Sequence, residues 1–508
     1  YQYTYDGLGR IVEKKTPGAA PEYIIYDNLG RVALTQDGNL RASNQWQFIK
    51  YDFLNRPLYS GLYVDASNLT RSSMQAAFVA RNYAVEPYYE TEAPNAAYQG
   101  YTNTVFPTTG LTVLTVNYYD HYDFDRNGSA DYIYDYSHLA GIPASANMSI
   151  RDMPTGSKKL IMGSANWLVS VVFYDKFRRA IQTQSNNHRN LTVADKSSIL
   201  YADLAGHISK TKVTHSGGTL VSTTQRYTYD PNWRTLGIYH TIDTNPEQQL
   251  VAYTYNLLGQ VIDKKLHVSG VTNLQSIDYR YTIRGWLSSI NNAKLNNDSG
   301  VTNDDTNDYF GIELVYQTTD GGLANTPLYN GNITAAKWKS LGEPTANGGQ
   351  RSYKFTYDKT DRLKASTFQA TDLTGTWNTE ANTLNEAMSY DHNGNILTLT
   401  RNSNLRGLTG SVVTSAVQTI DNLAYTYATG NQLSKVEDAG TTAGFNNAAN
   451  IATEYSYTAY GSLTMDKNKG IDSIKYNELN KVKRVKFTDG RVVTYLYDAS
   501  GAKLTVKN

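Results

Sequence analysis

The residues whose types and spacing could do chemistry are few. The sharpest set is Asp123-Phe124-Asp125-Arg126-Asn127-Gly128-Ser129-Ala130-Asp131. Asp123, Asp125, Asn127, Ser129 and Asp131 place oxygen-bearing side chains at alternate positions, with Gly128 at the sixth. Hard oxygen ligands in that pattern can wrap one calcium ion, and the glycine permits the sharp bend. The twelfth position is Tyr134, so the bidentate glutamate of an EF-hand is missing. Asp131 at the ninth suits a shorter calcium loop. The competing reading is an acidic turn between strands. Asp466, Asn468 and Asp472 around Gly470 repeat the pattern more weakly, and Asn303-Asp304-Asp305-Thr306-Asn307-Asp308 reads as a solvated loop.

Other chemistry finds little support. With no cysteine, disulfides, thiolate zinc sites and cysteine nucleophiles are excluded. The eight histidines, among them His121, His188, His207, His215 and His392, lack paired zinc-ligand spacing. No Gly-x-Ser-x-Gly elbow, phosphate-binding loop or dinucleotide fingerprint is present. Lys475, Lys481, Lys483, Arg484, Lys486 and Arg491 offer a basic patch, either for an anionic partner or as charged guards on strand edges.

The elements that position these residues are built from one recurring unit. It reads Tyr5-Asp6-Gly7-Leu8-Gly9-Arg10, then Tyr26-Asp27-Asn28-Leu29-Gly30-Arg31, then Tyr51-Asp52-Phe53-Leu54-Asn55-Arg56. It returns at Tyr174-Asp175, Tyr255-Asn256, Tyr357-Asp358, at Tyr390-Asp391 with Gly394, and at Tyr497-Asp498 with Gly501. The Asp can accept from the backbone two residues on and start a turn. The Gly or Asn four residues after the Tyr supplies the positive φ the turn requires. Aliphatic and β-branched residues follow, as in a half-buried strand. Alternation as in Tyr1-Gln2-Tyr3-Thr4-Tyr5 predicts tyrosines on one face, stacked into aromatic ladders. Two copies depart from the pattern: Tyr201-Ala202-Asp203-Leu204 lacks Asp after the Tyr, and Tyr457-Thr458 carries Thr there.

Self-similarity at a period of about 20–50 residues signals an array, which needs no single core. The tyrosines from Tyr174 to Tyr281 are spaced 27, 28, 26 and 26. We therefore divide the 508 residues into repeats at 1–60, an insert at 61–165, repeats at 166–284, a loop-rich insert at 285–350 and partly degenerate repeats at 351–508. The first insert holds a short helix at residues 72–81, capped by Thr70 or Ser72. Tyrosine outnumbers phenylalanine 42 to 12, which fits rings half buried with their hydroxyls on partners. Charge is balanced, 47 basic against 46 acidic, so no global field points to nucleic acid or a membrane surface. No apolar run reaches the ~18 residues of a membrane helix. Both ends read as cut from a longer polypeptide.

These units resemble the RHS/YD-repeat family, in which Tyr-Asp is followed by two residues, Gly-Arg or Gly-Asn, and an aliphatic. Intervening pieces such as Asp152-Met153-Pro154-Thr155-Gly156 and Leu328-Tyr329-Asn330-Gly331-Asn332 resemble the secreted RHS proteins of Gram-negative bacteria. The resemblance implies an all-β fold, a spiralling β-sheet that closes into a hollow shell or cocoon. It implies export or display at the cell surface, with type IX or type VI machinery as a partner. In toxin-bearing members the repeats lead into a core segment with self-cleaving aspartates. No such segment is present; Asp230-Pro231-Asn232-Trp233 reads as a repeat turn.

Three functions follow. The first is a non-catalytic shell that encloses or presents a toxin or other cargo lying outside these residues, its partner being that cargo or a capping chain. The second is an adhesin that grips glycans or proteins, and the third a hydrolase in the 61–165 insert. An open sheet has aggregation-prone edges, so the ribbon is expected to spiral on itself or be capped.

Overall fold

The computed structural model describes residues 1–83, 88–94, 96–219, 221–296, 308–342, 349–372, 374–409 and 412–508. Asn303 to Asn307 of the Asn/Asp cluster lie outside them. Described residues are almost all β, and each strand pairs antiparallel with the next in sequence. The run begins with Gln2–Tyr5 on Ile11–Lys15 and ends with Val412–Tyr427 on Leu433–Asp438. It makes a 27-stranded sheet, in which Trp377–Thr379 is a side branch on Leu363–Thr371. A further six strands, Tyr455–Tyr457 to Lys503–Lys507, form a second meander. Short connections between sequence neighbours explain this topology.

At the tyrosine of nearly every hairpin the ladder slips by one residue. The slip falls between Thr4 and Tyr5, Ile25 and Tyr26, Lys50 and Tyr51, Thr228 and Tyr229, Thr356 and Tyr357, and Leu496 and Tyr497. A bulge bends its strand and increases the local twist. Repeated at one edge of a long ribbon, that bend coils it.

The coil comes back on itself. Gln432 Nε2 donates to the Gly18 carbonyl at 2.7 Å, and the Ala20 N–H to the Ala459 carbonyl at 2.7 Å. Asn480 accepts from Asn39 Nδ2 at 2.6 Å and donates to Asp37 at 2.5 Å, linking residues more than 440 apart. Met162 N–H donates to the Tyr497 carbonyl at 2.9 Å and Ala499 N–H to the Leu160 carbonyl at 2.8 Å. Leu40, Leu62, Leu114 and Ala499 bury one another across this seam, with Leu479 and Met162 against them. The contacts are ordered. Repeat turns at one edge of the C-terminal strands sit on the opposite, loop edge of the N-terminal strands. The ribbon is thus a spiral, advancing one strand length per circuit. Some two dozen strands at about 4.8 Å spacing give a circuit of about 110 Å.

Wall thickness varies along the chain. From Ile25 to Tyr174 the strands carry a true core, including Trp46, Phe48, Tyr59, Tyr118 and Phe173. Its cover is the first insert. The helix Arg71–Tyr83, capped by Thr70 through the Ser73 N–H at 3.3 Å, buries Met74 and Phe78 there. It runs one residue earlier and two later than the sequence pattern suggests. Gln75 clamps the slipped backbone of Tyr26, accepting from its N–H at 3.0 Å and donating to its carbonyl at 2.8 Å. Behind the helix, Lys50 meets Glu90 at 2.9 Å with both side chains almost fully buried. Between Ile181 and Ala293, by contrast, no apolar side chain among the described residues is buried. Insert residues Asp135 and His138 still cover the first of these strands, at Gln182, Lys196, Ser198 and Thr214. From Val221 to Ser269 the ribbon is a single layer whose side chains are mostly half exposed.

Two side-chain hydrogen bonds of the seam hang on Asn480, which has φ +56°. Asn480→Gly keeps that backbone and removes only the amide bridge. It is expected to speed amide exchange at Ala20 and Ala499 while leaving the Ile25–Leu34 pairing protected. Unchanged exchange at Ala20 would refute a cooperative seam.

Candidate functional site

Two kinds of site were legible in the sequence, the repeat turns and the acidic loop. In the first turn, Asp6 Oδ1 accepts from the N–H groups of Leu8 and Arg10, each at 2.9 Å, and Oδ2 takes Arg10 Nε at 2.8 Å. Asp27 binds Leu29, Arg31 and the Arg31 guanidinium at 3.0, 2.8 and 2.6 Å. Asp175 repeats this with Phe177 and Arg179. Asp391 holds Asn395 through both backbone and side chain. Asp498 holds Ser500 and Ala502. Gly9, Gly30, Gly394 and Gly501 take positive φ, from +76° to +90°.

The tyrosines tie each turn to the next, and not as stacked ladders. The Tyr26 hydroxyl donates to the Ile11 carbonyl at 2.9 Å while the Arg10 guanidinium lies 4.3 Å above its ring. Tyr51 does the same with Val32 and Arg31 at 2.7 and 4.5 Å. Tyr174 donates to Pro154, Tyr390 to Leu363 beneath Arg362, and Tyr201 to Ala180 beneath Arg179. Ring-on-ring contacts between repeat tyrosines are the exception, as at Tyr495 and Tyr497.

The copy read as lacking its Asp has one after all. Asp203, one residue late, accepts from the N–H groups of Gly206 and His207 at 3.0 and 2.9 Å and takes the His207 ring at 2.7 Å. The turn is one residue longer, and that length was the available signal. At Thr458 the hydroxyl replaces the carboxylate, accepting from Tyr460 and Ser462 at 3.2 Å.

Donors converging on the turn carboxylates of Asp6, Asp230, Asp358 and Asp391 lower their titration. Arg10 N–H donation chiefly holds Asp6 below the usual range. At Asp230, Asp358 and Asp391 desolvation opposes the shift, and N–H and side-chain donors overcome it.

The acidic loop is anchored by Phe124, which is buried and stacks on Tyr118 with ring centroids 4.0 Å apart. Gly156 lies beneath that ring, so close that a Cβ would clash with it. Above this anchor, carboxylate oxygens of Asp123, Asp125 and Asp131 lie within 4.8 Å of one another, and no other such group occurs among the described residues. Asn127 and Ser129 are nearby but turned on the loop itself. Asn127 Oδ1 accepts from the Ser129 N–H and hydroxyl at 2.9 and 2.6 Å, and its amide donates to Asp125 at 3.0 Å. Asp123 is partly desolvated, yet the N–H groups of Gly128 and Asn127 hold it below the usual range. The weaker pattern does not converge. Asn468 donates to buried Glu454 at 2.6 Å, whereas Asp472 answers Lys486 at 3.2 Å.

Sequence reading missed two buried groups. Glu90 accepts from Thr104 and Val105 N–H as well as Lys50, stitching the insert to the sheet. Glu454, fully buried, accepts from the Val436 N–H at 2.9 Å, and its own N–H reaches the Ser434 carbonyl at 2.9 Å. It bridges the break between the two meanders. A lone Glu in a polar stretch carries no periodic signal.

No family model matches the chain, and no curated protein matches it. Among solved structures, the crystal structure of TcdB2-TccC3-TEV aligns at 12% identity and TM-score 0.28, covering 99% of this chain and 25% of that one. The Tc holotoxin pore of Photorhabdus luminescens aligns at 12% and 0.27, covering 99% and 24%. A porin-like protein from Bacteroides uniformis aligns at 10% and 0.18, covering 51% and 92%. The chain spans about a quarter of the length of the Tc chains. No functional assignment follows from likenesses of this size.

Replacing Asp27 by Ala strands two N–H groups and the Arg31 guanidinium, and a loss of about 2–4 kcal/mol in unfolding free energy is expected. Asp27→Asn keeps the acceptor, as native Asn256 does for Leu258 and Gln260 at 3.0 Å, and should lose less. Equal losses would refute the acceptor role. The pH dependence has a definite sign. Asp6, Asp230, Asp358 and Asp391 titrate lower folded than unfolded, so their contribution is complete above the unfolded value near 4 and falls away as pH drops below it. A thermal midpoint that is flat from pH 7 to 5 and collapses below pH 4 is expected.

Proposed function

We propose that this chain is a non-catalytic stretch of the wall of a β-sheet shell that encloses or presents a polypeptide cargo lying elsewhere in the same exported protein. The observation that carries this reading is the seam. A ribbon whose late turns seat on its early loops surrounds a space, and the mostly half-exposed stretch from Val221 to Ser269 suits a wall one sheet thick. In this reading the protein is secreted or displayed on a Gram-negative cell, its cargo or a capping chain is the partner inside, and type IX or type VI machinery exports it. No helix among the described residues is long and apolar enough to cross a membrane.

Limited proteolysis of the polypeptide purified from its native source, with mass mapping, tests the cargo. The expected result is a segment outside these 508 residues that survives while the shell is intact and is cut once it is unfolded. Equal cutting in both states, or no such segment, favours the adhesin.

We also propose calcium as the ion at Asp123, Asp125 and Asp131, where it would hold the loop onto the Phe124 anchor. Binding to the folded state alone stabilises by about 2.7 kcal/mol at a hundredfold excess over the dissociation constant. Calcium is expected to raise the thermal midpoint by a few degrees over chelator, an effect lost in Asp125→Asn/Asp131→Asn. An identical midpoint with calcium and with chelator would exclude the site.

A further inference from the structure

The basic patch read from sequence does not survive as one surface. Lys486 pairs with Asp472 at 3.2 Å and Arg491 with Asp489 at 2.6 Å, while Lys481 lies at the turn beside Gly501. What remains is more ordered. In the last meander Lys475 stands directly opposite Arg484, Arg484 opposite Thr494, and Thr494 opposite Lys507. Directly paired residues share a face, so these four form a straight row across the strands, with neighbours about 5 Å apart. They line a concave pocket of about 450 Å³, together with Lys483, Leu496 and Thr505.

Two features of this row call for a ligand. Like charges directly opposite in a ladder destabilise the sheet, and Lys475 against Arg484 is such a pair. Among the described residues none of Lys475, Lys483, Arg484 and Lys507 has a carboxylate at ion-pair distance; the acids of this meander answer other cations, as at Asp472, Asp489 and Asp466. We propose that the pocket binds an anionic glycan, an oligosaccharide carrying sulfate or uronate groups. Cations in a line meet its charges, the Thr494 hydroxyl meets its hydroxyls, and Leu496, two residues on and so on the same face, gives the C–H face of a sugar an apolar platform. An acidic peptide fits less well. The strand bearing Arg484 is laddered on both sides, and so is the strand bearing Thr494, so backbone pairing is open to an incoming peptide only at the edge strand Lys503–Lys507, at one end of the row. The proposal does not depend on the enclosed cargo.

The test is calorimetric titration of the chain with three probes: a heparin-derived hexasaccharide, an oligogalacturonate of the same length, and poly-glutamate. Binding of either glycan is expected, weakening as salt rises, with poly-glutamate weaker; the two glycan arms tell sulfate from uronate. Lys475→Gln/Arg484→Gln/Lys507→Gln should weaken binding at least tenfold with a thermal midpoint equal to or above the parent, because a repulsion is removed. Lys210→Gln/Lys212→Gln, on a distant hairpin, should bind as the parent does. No glycan binding, preference for poly-glutamate, or unchanged binding by the triple variant overturns the proposal.

Discussion

One side-chain acceptor at the start of the turn, most often an aspartate carboxylate, organises everything around it. A two-stranded hairpin is barely stable alone in water. Here the aspartate collects two N–H groups and an arginine, which fixes both the turn and the guanidinium. The arginine then covers the tyrosine of the next hairpin, whose hydroxyl closes on the carbonyl just past the turn. Each hairpin is thereby locked to its neighbour by groups that belong to the turn, not by a shared apolar core. A nearest-neighbour array of this kind holds together where burial is thin.

That economy explains the uneven wall. The single-layered stretch from Val221 to Ser269 relies on the ladder and these links. The region from Ile25 to Tyr174 adds a core because the first insert folds back over it. The insert needs its own fastening, which the buried Lys50–Glu90 pair and the Gln75 clamp provide. Burial holds the Lys50 ammonium below its usual range despite the adjoining carboxylate. A buried pair of this sort specifies an arrangement more than it strengthens one.

Much of this was legible in the residues. Tyr-Asp followed by a glycine at fixed spacing announces hairpins, because each residue has a local task that no distant partner alters. Asp123, Asp125 and Asp131 were legible as a converging set for the same reason. What was illegible depends on partners far along the chain. The tyrosine hydroxyls reach carbonyls about twenty residues back, so alternation alone suggested stacked rings. Asp203 hid behind a one-residue lengthening. Lys507 gave no hint that strand register would bring it into line with Lys475 and Arg484, some twenty to thirty positions earlier.

The seam has a consequence for how such a wall could change size. Its turn edge fits its own loop edge, so a further coil would meet a surface of the kind it already meets. The bend per hairpin is set by the slip at each tyrosine, and that fixes the girth. Duplicating hairpins would therefore make the barrel taller, by about 26 Å for each added circuit of eight-residue strands, and leave its bore unchanged.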